Sequence, residues 1–304
     1  MHGNYYLDML KRLLHNNDMN RLPTKTRAAV ISALVEGCSI RSTARLTGVS
    51  KPTVLRLLAE AGAVALKFQD QMFRDLNCRR LQVDEMWSFV YAKAKNVTPA
   101  IAAKVQSAGD AWLWVAIDAD TKLVPCWAIG PRDASAAHEF MNDLAGRLTN
   151  RVQLTTDGLK AYLEAVDHAF GGFIDYSQLV KLYGSDPEGE KRYSPAKCIG
   201  CERKRIVGDP DPNHISTSYI ERQNLTVRMT NRRFTRLTNA FSKKIENHIA
   251  SIALGYFAYN FVRIHRTLRV TPAMAAGVTS RLWDVSDLVA MLEAEEASLY
   301  SAAA

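Results

Sequence analysis

From residue 79 to residue 170 the chain changes character several times, and the order of those changes restricts its fold more than any other feature. RRLQVDEMWSFVYAK (79–93) is rich in Val, Trp, Phe and Tyr and reads as a strand. A loop of low hydrophobicity follows over 94–110. AWLWVAIDADTKLVPCWAIG (111–130) reads as a hairpin that turns at Asp118-Ala119-Asp120-Thr121-Lys122. ASAAHEFMNDLAGRL places Ala137, Phe140, Met141 and Leu144 on one helical stripe. RVQLTTDG is a short strand that stops at Asp157-Gly158, and LKAYLEAVDHAF is the next helix.

Three strands, a helix, a strand and a helix is the order of a ribonuclease H-like fold, a mixed α/β sheet flanked by helices. The expected catalytic domain runs over 80–270, with an irregular insert at about 171–215 that holds one or two more strands, of which 173–182 is the best. The helix of 216–239 and a longer one near 242–264 follow, then a tail over 271–304 with an acidic, Ala-rich end. Ahead of the sheet, 1–22 reads as a helical arm, with an amphipathic stretch at 5–15, and 63–79 as a linker or helical extension.

Residues 23–62 divide into three helices with the size and shape of an all-α helix-turn-helix domain. The first carries Ala29, Val30, Ala33 and Leu34. The second carries Ile40, Ala44 and Leu46, and Thr47-Gly48-Val49 makes the turn. Ser50 is a good N-cap and Pro52 sits in the first turn, where its missing N–H costs nothing. In a helix-turn-helix this third helix enters the major groove, with Lys51, Thr53 and Arg56 outward and Arg27, Arg41 and Arg45 near phosphates. A generic three-helix bundle would use the same turn and cap.

The balance of 39 Lys and Arg against 31 Asp and Glu gives a net charge of +8, which favours a polyanionic partner, nucleic acid first. Five scattered cysteines do not make a disulfide framework and point to a reducing compartment. The first residues lack the pattern of a signal peptide, and no apolar run has the length of a membrane span. The expected location is the cytoplasm.

Phosphoryl transfer on DNA uses two divalent cations about 3.5–4 Å apart, held by carboxylates. On this fold the acids would come from the first strand, the end of the fourth strand and a later helix. Asp84 lies among Leu81, Val83, Trp87 and Phe89, where an acid is costly to bury unless it binds something. Glu85 adjoins it, and strand periodicity does not decide which of the two faces the site. Asp157 ends the next parallel strand, where ligands of α/β sheets gather, and it could equally be a plain turn or cap. Glu221 stands at the head of a helix followed by Arg222, Arg228, Arg232, Arg233 and Arg236. Asp118 is a reserve candidate, though a turn role suits it and Asp120.

QVDEMWSFVYAKAKN, AWLWVAIDADTKLV, TTDGLKAYLE and YIERQNLTVR, in this order, resemble the catalytic core of IS1-family insertion-sequence transposases. These are DDE recombinases on a ribonuclease H-like fold, and the likeness runs from about residue 80 to 270. It implies Asp84, Asp157 and Glu221 as a catalytic triad holding two Mg²⁺ (or Mn²⁺) ions. It also implies that Arg228, two turns after Glu221, contacts the terminal DNA strand, with Arg232 and Arg233 as further DNA contacts. YNFVRIHRTLRVTP (259–272) looks like a stretch shared by several DDE families, with Tyr259, Asn260, Arg263 and His265 packing the helix or touching DNA. The chain departs from the IS1 pattern in lacking a cysteine-rich finger ahead of the helical module, since only Cys38 precedes residue 78.

The expected activity is therefore cleavage of double-stranded DNA at terminal inverted repeats and strand transfer into target DNA. A homodimer or larger synaptic assembly, associated with the bacterial nucleoid and with no membrane, would carry it out. The alternative is a non-catalytic helix-turn-helix regulator with a degenerate nuclease-like domain. A structural zinc at Cys198, Cys201 and His214 is a further expectation, with no fourth ligand evident.

Overall fold

The computed structural model describes residues 21–184, 198–235 and 238–303. The helix expected at 5–15 and the position of Arg236 lie outside them. In chain order the elements are α1 (Thr24–Val35), α2 (Ile40–Thr47), α3 (Lys51–Met72), β1 (Arg80–Val90), α4 (Pro99–Lys104), β2 (Gly109–Asp118) and β3 (Cys126–Gly130). There follow α5 (Ala134–Ala145), β4 (Val152–Thr156), α6 (Ala161–Phe170), β5 (Ile174–Tyr183), β6 (Cys198–Val207) and α7 (Ser218–Thr230). The last are α8 (Ile245–Phe257), α9 (Pro272–Ala275) and α10 (Val285–Ala303). The chain divides into two compact units. One comprises Asp75–Met86 and Leu113–Gln223; the other comprises the chain up to Arg74, Trp87–Trp112 and the chain from Asn224.

The first unit is built on a six-stranded mixed sheet in the order β3-β2-β1-β4-β5-β6. β1 pairs with β4 in parallel and β4 with β5 in parallel, while β5 and β6 are antiparallel. With its flanking helices this is the ribonuclease H-like order expected from the sequence. Leu113–Asp118 of β2 is buried without alternation, as a strand covered on both faces should be. The α5 stripe is the expected one, Ala137, Phe140, Met141 and Leu144, all buried. Trp114 packs edge-on against Tyr162 of α6 at 5.6 Å, and its indole N–H donates to the Pro131 carbonyl at 3.1 Å. That bond removes the cost of burying a polar atom in this core.

The described residues of 171–215 hold two strands, the upper end of the one or two expected. β5 falls where a strand was read, and β6 adds a second strand that carries the CIGC sequence. β6 is exposed along nearly all its length, so it has no apolar alternation to give it away.

In the second unit Ser50 caps α3 as expected, its Oγ accepting the Thr53 N–H, and Gly48 turns the chain from α2 at φ +70°. Lys51 and Arg56 are exposed, and the Thr53 hydroxyl shares a hydrogen bond with Ser50. The buried positions of α1 are Arg27, Val30, Ile31 and Val35, whereas Ala29 is exposed. α3 does not stop at 62. It continues to Met72 because Ala59, Ala61, Ala63, Val64 and Ala65 are small enough to be buried there.

The expected tail is a structured element: α10 buries Leu288, Val289 and Leu292. Its acids meet cations of the helical module, Glu296 with Arg27 at 2.9 Å and Glu295 with Lys67 at 2.9 Å. Arg27 is consequently only 6 % exposed and does not face a phosphate. The helix read over 242–264 is α8, ending at Phe257 in a π-helical segment, Ala258–Val262. Phe68, Phe257, Phe261 and Trp283 form an aromatic cluster there, with Phe68 and Trp283 centroids 4.8 Å apart. Asn260 is buried, and Arg263 donates to the Val35 carbonyl and pairs with Glu36.

Gly62 of α3 faces Ala250 of α8 with no room for a side chain. A Cβ at 62 would sit 2.5 Å from the Ala250 Cβ and 2.6 Å from its Cα. Gly62→Ala should therefore destabilise the protein by roughly 2 kcal/mol or more, despite the higher helix propensity of Ala. Chemical denaturation of the two proteins measures this.

Candidate metal centre

Strand register creates the centre. Val83 of β1 pairs with Thr156 of β4, so the next residues, Asp84 and Asp157, leave the ladder side by side. Asp84, Glu85 and Asp157 can each place a carboxylate oxygen within 4.8 Å of the other two. They are the only such three-residue cluster of His, Cys, Asp or Glu among the described residues.

The three acids are held differently. Glu85 is 8 % exposed and internally satisfied: Arg132 donates to Oε1 at 2.6 Å and the Tyr162 hydroxyl donates to Oε2 at 2.9 Å. Asp157 Oδ1 accepts the Leu159 N–H at 2.9 Å, so it is also the turn residue that its Gly neighbour suggested. Asp84 Oδ1 accepts the Glu85 N–H at 2.9 Å. Burial pushes the Asp84 carboxyl up to about 7, and the charges of Glu85, Asp157 and Glu221 push the same way. Burial also raises Glu85, against the pull of Arg132 and Tyr162. We read Glu85 and Arg132 as an ion pair, since Arg132 is itself raised by Glu85 and half-exposed.

Glu221 reaches this neighbourhood through a cap that the sequence did not announce. The Gln82 side chain, buried in β1, accepts the N–H groups of Tyr219 (2.8 Å) and Ile220 (3.1 Å) through Oε1. Those are unpaired donors of the first turn of α7, and Gln82 satisfies both. The Glu221 carboxylate stands outside the three-acid cluster. Its Oε1 accepts from Lys181 Nζ of β5 at 2.6 Å and from the Thr217 hydroxyl.

Asp118 is buried but serves its turn, accepting the Thr121 hydroxyl at 2.6 Å and the Asp120 N–H at 3.1 Å. The expected zinc set is not brought together. His214 sits against Arg80 Nη1 at 2.5 and 3.0 Å, and Cys198 and Cys201 lie exposed on β6. Among the expected DNA contacts, Arg228 ends α7, while Arg232 and Arg233 fall in a separate 3₁₀ turn, Arg232–Phe234. Arg232 is exposed. Arg233 is committed inward, donating to Ser242 (2.7 Å) and Ser251 (2.9 Å), and burial lowers its pKa to about 10.

Arg132, Tyr162, Gln82 and Lys181 were missed by sequence reasoning. Only Tyr162 carried a usable sign: a hydroxyl on the buried stripe of an apolar helix needs a partner.

The donor set suits a hard cation. Carboxylate oxygens without thiolate or imidazole fit Mg²⁺ or Mn²⁺, and a cation bound there would favour the ionised form of Asp84 against the burial and neighbouring acids that raise it.

No protein-family profile matches the chain, and no curated protein matches it. Solved structures with some likeness include the Mos1 transposase paired-end complex with left transposon end, at 16% identity and a TM-score of 0.23, covering 53% of this chain and 61% of that one. A piggyBac transposase synaptic complex with hairpin DNA gives 10% identity, a TM-score of 0.38 and coverage of 96% and 75%. A pre-cleavage Mos1 transpososome gives 11%, 0.26, and 80% and 79%. The chain thus spans 61% of the length of the first of these. Scores this low carry no argument about chemistry, which has to come from the residues.

Because Asp84 titrates near 7 in the fold and at the ordinary 3.8 when unfolded, the folded state binds the extra proton between those values. Stability of the metal-free protein should fall as pH rises through that window. Asp84→Asn removes this residue's share of the slope, leaving that of Glu60, and should be more stable at pH 8 by up to about 4 kcal/mol. Mg²⁺ should raise the melting temperature of the wild type at pH 8 and leave Asp84→Asn unmoved. Thermal denaturation with and without Mg²⁺ checks both.

Proposed function

We propose that this protein is a DNA transposase of the DDE type, cleaving DNA at element ends and transferring the freed strand to a target. The observation that carries the reading is the convergence of Asp84, within β1, and Asp157, just past the end of the parallel strand β4, with Glu221 on a helix capped from β1 and near enough for its charge to act on Asp84. Neither a core nor a turn needs acids gathered from three separate segments at the cost of a carboxyl raised by burial and by its acidic neighbours.

In this reading Asp84, Asp157 and Glu221 are the ligands of two Mg²⁺ or Mn²⁺ ions. Bound there, the cations would supply activation of the attacking oxygen and stabilisation of the leaving one. Glu85 does not exchange partners: fixed by Arg132 and Tyr162, it holds the β1 end in place and keeps the field around Asp84 negative. Lys51, Thr53 and Arg56, at the start of α3, read the major groove as the second helix of a helix-turn-helix motif. Arg228 and Arg232 contact the DNA backbone, which sets position rather than sequence. Arg233 holds its own loop through Ser242 and Ser251. Two ends must be processed together, so the working form is a dimer or larger synapse. The finer family assignment, IS1-like, rests on the ordered motifs around Asp84, Asp157 and Glu221.

The test uses purified protein, Mg²⁺, labelled duplexes carrying the DNA that flanks the coding sequence, and a target plasmid. Cleavage and strand-transfer products are expected. Asp84→Asn, Asp157→Asn and Glu221→Gln should each reduce them by roughly 10²- to 10³-fold, the scale of losing one group from a preorganised charge-stabilising site. The same variants should still bind DNA in a gel-shift assay. Binding with no cleavage by the wild type would instead identify a regulator.

A further inference from the structure

The site has four acids and two cations. Asp84, Glu85 and Asp157 cluster, and Glu221 is close enough for its charge to weigh on Asp84. Arg132 is bound to the acid that is already saturated. Lys181 is different. Its ammonium sits 2.6 Å from Glu221 Oε1, both side chains are part-exposed (31% and 43%), and the charge of Asp84 also acts on it. An oxygen that accepts an ammonium and the Thr217 hydroxyl has no lone pair left to offer a metal. Half-exposed ion pairs are weak, so this one can be displaced.

We propose that Lys181 is a positioning residue that stands in for a cation on Glu221 while the site is metal-free and moves to a DNA phosphate once divalent ions take the carboxylate. The inference rests on reading Asp84, Asp157 and Glu221 as metal ligands. β5 lies two strands from β1 across β4, and the contact with Glu221 puts the Lys181 ammonium at the edge of the acids, where it would meet DNA bound over them. A cation left without its acid in a site built for phosphate finds its natural partner there. The exchange also keeps Glu221 from splaying away from the other acids by repulsion before the ions arrive.

The experiment compares wild type, Lys181→Met and Lys181→Arg after matching their melting curves. Titrated with Mn²⁺ alone and read by the electron paramagnetic resonance of free Mn²⁺, Lys181→Met should bind roughly two- to fivefold tighter than wild type, because the competing ion pair is gone. Lys181→Arg, which keeps the charge, should track wild type. A short duplex of arbitrary sequence is then titrated at several salt concentrations. In Ca²⁺, Lys181→Met should lose about one unit of the slope of log affinity against log salt, the effect of one phosphate contact. In EDTA the slopes of wild type and Lys181→Met should coincide. Equal Mn²⁺ affinities, an unchanged slope in Ca²⁺, a slope that also drops in EDTA, or an arginine variant that behaves like the methionine one would each overturn the exchange. Mn²⁺ binding by the wild type that survives Asp84→Asn would instead overturn the metal centre itself, and the exchange with it.

Discussion

Two hydrogen bonds to one buried amide oxygen hold the candidate site together. Gln82 sits in β1 with its side chain 3% exposed overall, and its Oε1 takes the Tyr219 and Ile220 N–H groups at the head of α7. Helix N-termini leave donors that must be met by something, and here a strand two residues before Asp84 meets them. The helix dipole also points its positive end at the neighbourhood of the acids. Because Gln82 and Asp84 share a strand, the distance from Glu221 to the first acid is fixed by backbone geometry rather than by loop packing. The β1–β4 register fixes Asp157 in the same way, since Val83 and Thr156 are partners. Three acids far apart in sequence thus depend on one ladder and one cap.

Charge is divided within this frame. Glu85 has a guanidinium and a phenol of its own, so it behaves as part of the scaffold. Burial of the Tyr162 hydroxyl, which raises its pKa well above the usual value, is tolerated because it donates to Glu85. Asp84 has three acids in its field, and its Oδ1 accepts the Glu85 N–H. The protein therefore carries an electrostatic cost at one residue and relieves it at its neighbour. Such local imbalance is tolerated where a ligand is meant to complete the arrangement.

Much of this was legible in the sequence, and what was not has physical causes. Strand and helix order followed from periodicity, and the Ser50 cap and the Asp118 turn from side-chain chemistry. Asp84 stood out because an acid inside an apolar strand is costly, and Asp157 because the ends of parallel strands are where ligands of α/β sheets gather. The gap between Asp84 and Glu85 could not be closed, because alternation of side chains says nothing about Arg132 and Tyr162 reaching one of them from other elements. Gln82 and Lys181 are ordinary residues at ordinary strand positions. Their roles exist only in pairings across β5, β1 and α7. The acidic end read as a tail because its complement, Arg27 and Lys67, lies more than two hundred residues earlier. The second strand of the insert, β6, could not be placed by residue since an exposed edge strand with charges has no hydrophobic period.

A raised carboxyl is not by itself the mark of a site, as three acids in this chain make plain. Glu60 is pushed up to about 7 by burial in α3, yet Arg56 lies 3.8 Å away and no cluster of acids surrounds it. Asp118 is raised by burial too, but Thr121 and two backbone N–H groups satisfy it inside its own turn. Asp118 is explained within its own turn, and the charges around Glu60 are mixed, Arg56 and Arg27 against Glu296. Burial is the largest cause for Asp84 as for Glu60, but the charges that add to it at Asp84 are those of three acids drawn from β1, β4 and α7. Folding alone gains nothing from bringing like charges together, and repulsion among them would favour side chains that turn away. The register and the Gln82 cap hold them in place against that repulsion. What distinguishes the centre is therefore convergence enforced by structure, of a kind that suits a bound divalent cation.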